Sequence, residues 1–195
     1  VERDNLPQMR RIVKEKVGNG EVDLVHSDQF TMAQFALDLE GQIPRVFDAH
    51  NATWKVVERT AAQYPWYLQP LLHREIRLVK EYEEKIIRSF EHTFAVTTVD
   101  RDFLLELVPD DMDAIAGRIS STPISVDCEA IQPLRRSICS HHIVTLGTLH
   151  YPPNADGIRW FLREVFPKIQ AQLPDAHLKV IGKNPPEDFL LEAKR

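Results

Sequence analysis

The residues best suited to chemistry stand at the ends of short apolar runs. Val22 to His26 leads into His26-Ser27-Asp28-Gln29, and Ile43 to Ala49 ends on Asp48-Ala49-His50-Asn51. Later runs end on Thr97-Thr98-Val99-Asp100-Arg101, on Ser125-Val126-Asp127 and on Gly147-Thr148. Each run has the length of a strand and is followed by a helical pattern. In open parallel α/β sheets, ligands sit at the carboxyl ends of the strands. Five successive polar strand ends therefore mark one edge as the place to look. Histidine changes charge near neutral pH and can donate to or accept from a sugar hydroxyl. His26 and His50, on neighbouring strand ends, are the candidates for that work. The plain alternative is a surface or capping histidine at each position.

A second candidate lies in His142 to Phe166, HIVTLGTLHYPPNADGIRWFLREVF. Ile143 to Leu146 reads as a buried strand that Gly147 ends. The loop Thr148 to Asn154 carries two prolines and finishes on a good N-cap residue. Ile158, Phe161, Leu162, Val165 and Phe166 then repeat at helical spacing. A helix start aimed at a glycine turn offers backbone N–H groups and a positive dipole end, which suits phosphate. His150 lies in this turn, where an exposed loop histidine is the plain reading.

Other chemistries lack their signatures. The chain holds no GxGxxG, no Walker A sequence and no GxSxG. His141-His142 has no carboxylate or cysteine at ligand spacing, so no metal site is expected. Net charge is 24 − 29 = −5, which argues against a nucleic-acid partner. Cys128 and Cys139 are 11 apart and match no metal spacing, so both read as reduced cytosolic thiols. No signal peptide and no apolar run of spanning length is present, and a cytoplasmic location is expected.

Around these residues, helical patterns over Leu6–Val17, 30–39, 51–62, 71–90, 101–107 and 109–115 alternate with the strands. A last strand is expected at His177–Ile181. Asn51 is expected to cap one helix, and Asp28 and Asp100 two others. The long helix has the stripe Leu72, Ile76, Val79, Glu83, Ile86, Phe90, with one carboxylate in it. Glu83 is expected at the stripe's edge, its stem reaching out to water. Trp54, just after His50, reads as packing, with sugar stacking as the alternative. The fold class is α/β: Rossmann-like parallel sheets with flanking helices covering both faces. A boundary falls between 135 and 136, in the polar stretch Gln132–His142. The charged opening helix and the closing DFLLEAKR, which reads as a helix cut in mid-domain, predict a piece of a longer protein.

Taken in order, VHSDQF, VFDAHN, FAVTTVDRDFL, ISVDCEAIQP and VTLGTLHYPPNADGIRWF resemble a group 1 (family 4) glycosyltransferase of the GT-B fold, and the last stretch resembles one bacterial subset. The resemblance covers nearly the whole chain. It implies the end of an N-terminal acceptor-side domain in 1–135 and the start of a C-terminal nucleotide-sugar domain in 136–195. It further implies transfer that retains anomeric configuration, without metal or other cofactor. Among site residues, it implies that His50 is the histidine facing the reacting sugar. His26 joins it as a substrate-binding candidate from the neighbouring strand end. By the same resemblance Asp127 is the aspartate before the linker and Gly147 the turn glycine near the donor diphosphate. Thr148 and Asn154 stand where many members have arginine and lysine, and Ser125 replaces a glycine. Backbone amides, or Arg159 or Lys183, would then hold the diphosphate.

The implied partners are a nucleotide sugar and a glycan or lipid-linked acceptor, with peripheral membrane association of the parent. The family's glycine-rich loop and its E-x7-E element are absent, so this chain alone is expected to be inactive. A two-stranded second sheet predicts self-association through open edges, or docking on the first sheet. The rival reading, prompted by Thr148 and Asn154, is a non-catalytic α/β binding or interaction module.

Overall fold

The computed structural model describes residues 5–135 and 140–192. Cys139 lies outside them. The chain divides into two compact units, 1–127 and 128–195. The sequence-based boundary, between 135 and 136, falls in the irregular stretch that follows the first of these.

The first unit opens with α1 (Pro7–Gly18) and β1 (Val25–Asp28). Next come β2 (Arg45–Ala49), α2 (Thr53–Ala61), α3 (Gln69–Ser89), β3 (His92–Ala95), α4 (Thr98–Leu105), α5 (Met112–Ala116) and β4 (Ile119–Ser121). The four strands form one parallel sheet in the order β1-β2-β3-β4. This is the α/β, Rossmann-like architecture that alternating strand and helix patterns demand. Ser27, Arg45, Phe47, Ala49, Thr93, Ala95 and Ile119 point to the buried side. There Phe47, Ile86, Ile87, Phe90, Leu104 and Val108 form the core. The other face carries His26, Asp28, Val46, Asp48, His92, Phe94 and Ser120, none of them buried. Among the described residues of this unit, the buried core lies on one face of the sheet, and the other face is exposed or partly buried. Its strands alternate with period two, as a half-covered sheet does.

Several local boundaries differ from the sequence reading, each for a physical reason. The stretch after β1 is not an α-helix but two single 3-10 turns, Met32–Phe35 and Leu37–Leu39. Thr97, not Asp100, caps α4: its Oγ1 accepts the Asp100 amide and donates to the Asp100 carboxylate. The fourth strand stops at Ser121, two residues before Pro123. Trp54 is 3% exposed and its indole N–H donates to the Phe103 carbonyl at 3.0 Å, which makes it a packing residue.

The second unit pairs β5 (His142–Leu146) in parallel with β6 (His177–Ile181). Between them run α6 (Pro152–Trp160), a π-helical turn Phe161–Val165 and α7 (Phe166–Gln172); α8 (Glu187–Glu192) follows. Pro167 would ordinarily break a helix; the π turn ahead of it absorbs the missing donor, and the helical path continues. Gly182, just after β6, packs on the Gly147 turn so closely that a Cβ there would stand 2.0 Å from the Gly147 carbonyl oxygen. Gly182→Ala is therefore expected to cost about 3 kcal/mol in this unit, because backbone rather than a flexible side chain must yield. Thermal melts read by circular dichroism check this.

Candidate active site

The first cluster forms where β1 and β2 end side by side. In-register pairing sets Asp28 against Asp48 and His26 against Val46. His50 Nε2 lies 2.6 Å from an Asp28 carboxylate oxygen, and His26 Nε2 lies 3.7 Å from Asp48 Oδ2. The two distances place a carboxylate beside each imidazole, and Asp28 anchors the His50 ring. Gln29, at a φ of 75°, turns the chain sharply after Asp28, and its amide donates to the Asp48 carbonyl at 3.1 Å. A non-glycine residue held there is strained, and its place beside the cluster fits a built site. The ligand atoms of Asp28, Asp48 and His50 all lie within 4.8 Å of one another, close enough to share a cation. Sequence reasoning, which weighed only the His141-His142 pair and the two cysteines as metal ligands, did not bring this set together. The signal was available: two strand-end aspartates, in VHSD and RVFDAH, that parallel pairing brings level.

Behind His50 stands a second feature that sequence reasoning misjudged. Glu83 does not reach out to water; it is fully buried in α3. Its two carboxylate oxygens accept the amides of Thr53 and Trp54, each at 2.9 Å. Asp100 accepts the Ala52 amide at 3.2 Å. The first amides of α2 are thus taken by carboxylates from α3 and α4, and Asn51 is not the cap. Burial pushes the Glu83 carboxyl up to about 7, against the Trp54 and Thr53 amides, which lower it; the nearby Asp100 charge adds a smaller rise. The segment that follows His50 is therefore fixed from behind by residues 30 and 48 positions away.

The second cluster lies entirely in the second unit. The Gly147 amide donates to the Ile181 carbonyl, and Asn154 Nδ2 donates to the Thr148 carbonyl at 3.4 Å. The α6 helix begins at Pro152, two residues before the expected cap, with Pro152 and Pro153 in its first turn. Prolines have no N–H, and the Asn154 amide is taken by the Tyr151 carbonyl. The helix start therefore offers an anion fewer donors than its sequence suggested. The amides of Thr148, Leu149 and His150 donate to no acceptor among the described residues. Arg159 is engaged elsewhere, 2.6 Å from Asp188 and 2.8 Å from Asp156. Lys183, directly after Gly182, is the basic residue adjoining the Gly147 turn.

The structure thus brings His26 and His50 together in one unit, and Gly147, Thr148 and Asn154 together in the other. Asp127 joins neither cluster by element: it lies six residues past the end of β4 at Ser121, in irregular chain. No protein-family model matches the chain, and no curated protein matches it. Among the described residues no helix is long and apolar enough to cross a membrane.

Proposed function

We propose that the chain is part of a retaining glycosyltransferase of the GT-B type. It would transfer a sugar from a nucleotide-sugar donor to a polysaccharide or lipid-linked acceptor. The observation that carries this reading is the Asp28–His50 pair at the carboxyl end of a parallel sheet, with His26 and Asp48 beside it. An imidazole seated beside a carboxylate at a strand end suits the task of positioning or polarising a sugar hydroxyl. In this reading the Gly147 turn holds the donor diphosphate through the amides of residues 148–150, the α6 dipole and Lys183. Such donors would stabilise the charge that develops as the nucleotide leaves. Asp127 would contact substrate near the linker, as the resemblance implies. The protein would work in the cytoplasm.

Calorimetric titration with a set of nucleotide sugars tests the reading. It predicts saturable binding of one donor by the gene product that carries this chain. Lys183→Ala should weaken that binding about tenfold, the worth of one charge-assisted contact. No metal is assigned to the reaction, so chelation with EDTA should leave transfer unchanged. Loss of transfer on chelation would give the Asp28–Asp48–His50 set the role of a cation site. The second reading, a non-catalytic binding module, draws on the scarcity of donors at the α6 start. Absence of binding to every donor would favour it.

A further inference from the structure

The doublet His141-His142 is divided by the strand that it opens. Successive residues of an extended chain point to opposite sides, so these two imidazoles do not close on one ion. Each finds a partner at the start of β6 instead. His141 Nδ1 lies 2.8 Å from the Asp175 carboxylate. His142 stands in register with His177 across the parallel pair. The His177 amide donates to the His141 carbonyl at 3.0 Å and holds that register at its first rung. The turn into β6 is fixed as well: Ala176 is buried, and its amide donates to the Leu173 carbonyl at 2.9 Å.

His142 and His177 are both exposed, so an ion in solution can reach them. Their ring centres stand 5.3 Å apart, with the planes 36° from parallel. Among the described residues, neither ring is held in an ion pair or a hydrogen bond. Two imidazole nitrogens bound to one tetrahedral ion at about 2.0–2.1 Å lie about 3.3 Å from each other. A ring nitrogen stands about 1 Å from its ring centre, so these rings reach that separation once they turn edge to edge. The turn is a rotation about χ2, a broad torsion that costs little. Asp175 sets negative charge beside the pair. Its carboxyl is held below the usual range by the His141 hydrogen bond first, and further by the His141 and His177 charges. Lys179, two residues along the same exposed side of β6, is the opposing charge.

We propose that His142 and His177 form a two-histidine chelate for a divalent transition-metal cation of the class that favours imidazole, such as Zn2+. The ion ties β5 to β6 at their amino ends. These two strands make up a two-stranded sheet, and so small a sheet gains most from a link between its strands. An ion that binds the paired strands and not the separated ones stabilises the folded unit. The site lies five residues before the Gly147 turn, about 17 Å away along β5. It therefore takes no part in the proposed transfer, and it stands or falls independently of that reading.

The test is calorimetric titration of Zn2+ into the full chain, in a buffer that does not bind the metal. Mg2+ serves as the control, since a hard cation prefers oxygen ligands. The same titration on His50→Ala removes a ligand of the Asp28–Asp48–His50 set, the other group able to share a cation. Zinc should bind both chains, and Mg2+ should not compete. His142→Gln and His177→Gln, each introduced into the His50→Ala chain, should lower zinc affinity about tenfold. Both positions are exposed, so the melt without metal should not change. Zinc should also slow hydrogen exchange at the amides of 142–146 and 177–181 in the native chain, and not in H142Q/H177Q. The proposal is overturned if H142Q/H177Q binds zinc as tightly as the native chain, or if zinc leaves exchange in β5 and β6 unchanged. Zinc binding that His50→Ala abolishes and H142Q/H177Q retains would place the ion in the other unit and overturn it equally.

Discussion

Glu83→Ala lowers the stability of the first unit by about 3 kcal/mol at pH 5 and by less at pH 8. Removing the side chain leaves the Thr53 and Trp54 amides without their acceptors and opens a void between α2 and α3. The pH dependence follows from the raised carboxyl, about 7 in the folded chain against 4.5 for a free side chain. Below 4.5 both states hold the proton. Between 4.5 and 7 the folded state keeps it and the unfolded state has lost it, so stability falls as pH rises through this window. The charged and titratable neighbours are Asp100, which adds to the rise, and Lys80, whose ammonium stacks over Trp54 and pairs with Glu58. Over the whole window the native chain should lose on the order of 3 kcal/mol through this group. Glu83→Gln retains a carbonyl acceptor and cannot ionise. It should unfold at a denaturant midpoint that is flatter from pH 5 to 8 than that of the native chain. Equal slopes for the two proteins would show that Glu83 stays ionised throughout. Both variants are also expected to loosen residues 50–54 and so to impair His50 without touching a substrate.

This prediction rests on a residue that the sequence stripe marked as odd but could not place. The expected helix over 71–90 locates α3 to within two residues at each end. It says nothing of what faces Glu83, because the partners are backbone amides, which leave no trace in residue types. Arg45 is a similar case. Its fully buried guanidinium bonds to the carbonyls of Ala36 and Ser89 and to Glu91, and lies 5.2 Å over the Phe90 ring. Burial of a charge is decided by distant partners. By contrast, His177–Ile181 is a strand with the expected bounds, since apolar and β-branched residues there leave little competition. The strand ends at Asp28 and Ala49 were legible as a search area. The Asp28–His50 contact was not, because it depends on parallel register. The α6 start misled for a specific reason: Asn154 is a good cap by type, but the two prolines before it already fit a helix's first turn.

His50→Ala in the gene product that carries this chain is the measurement closest to the proposed function. The imidazole is held by Asp28 at 2.6 Å, at the end of β2 and ahead of a turn fixed by Glu83 and Asp100. In the proposed reading its loss removes a group that positions or polarises a sugar hydroxyl, worth about a thousandfold in rate. The Gly147 turn, in the other unit, is untouched. Transfer should therefore fall about a thousandfold while the calorimetric affinity for the nucleotide sugar stays within about twofold. Turnover equal to that of the native protein would contradict the account.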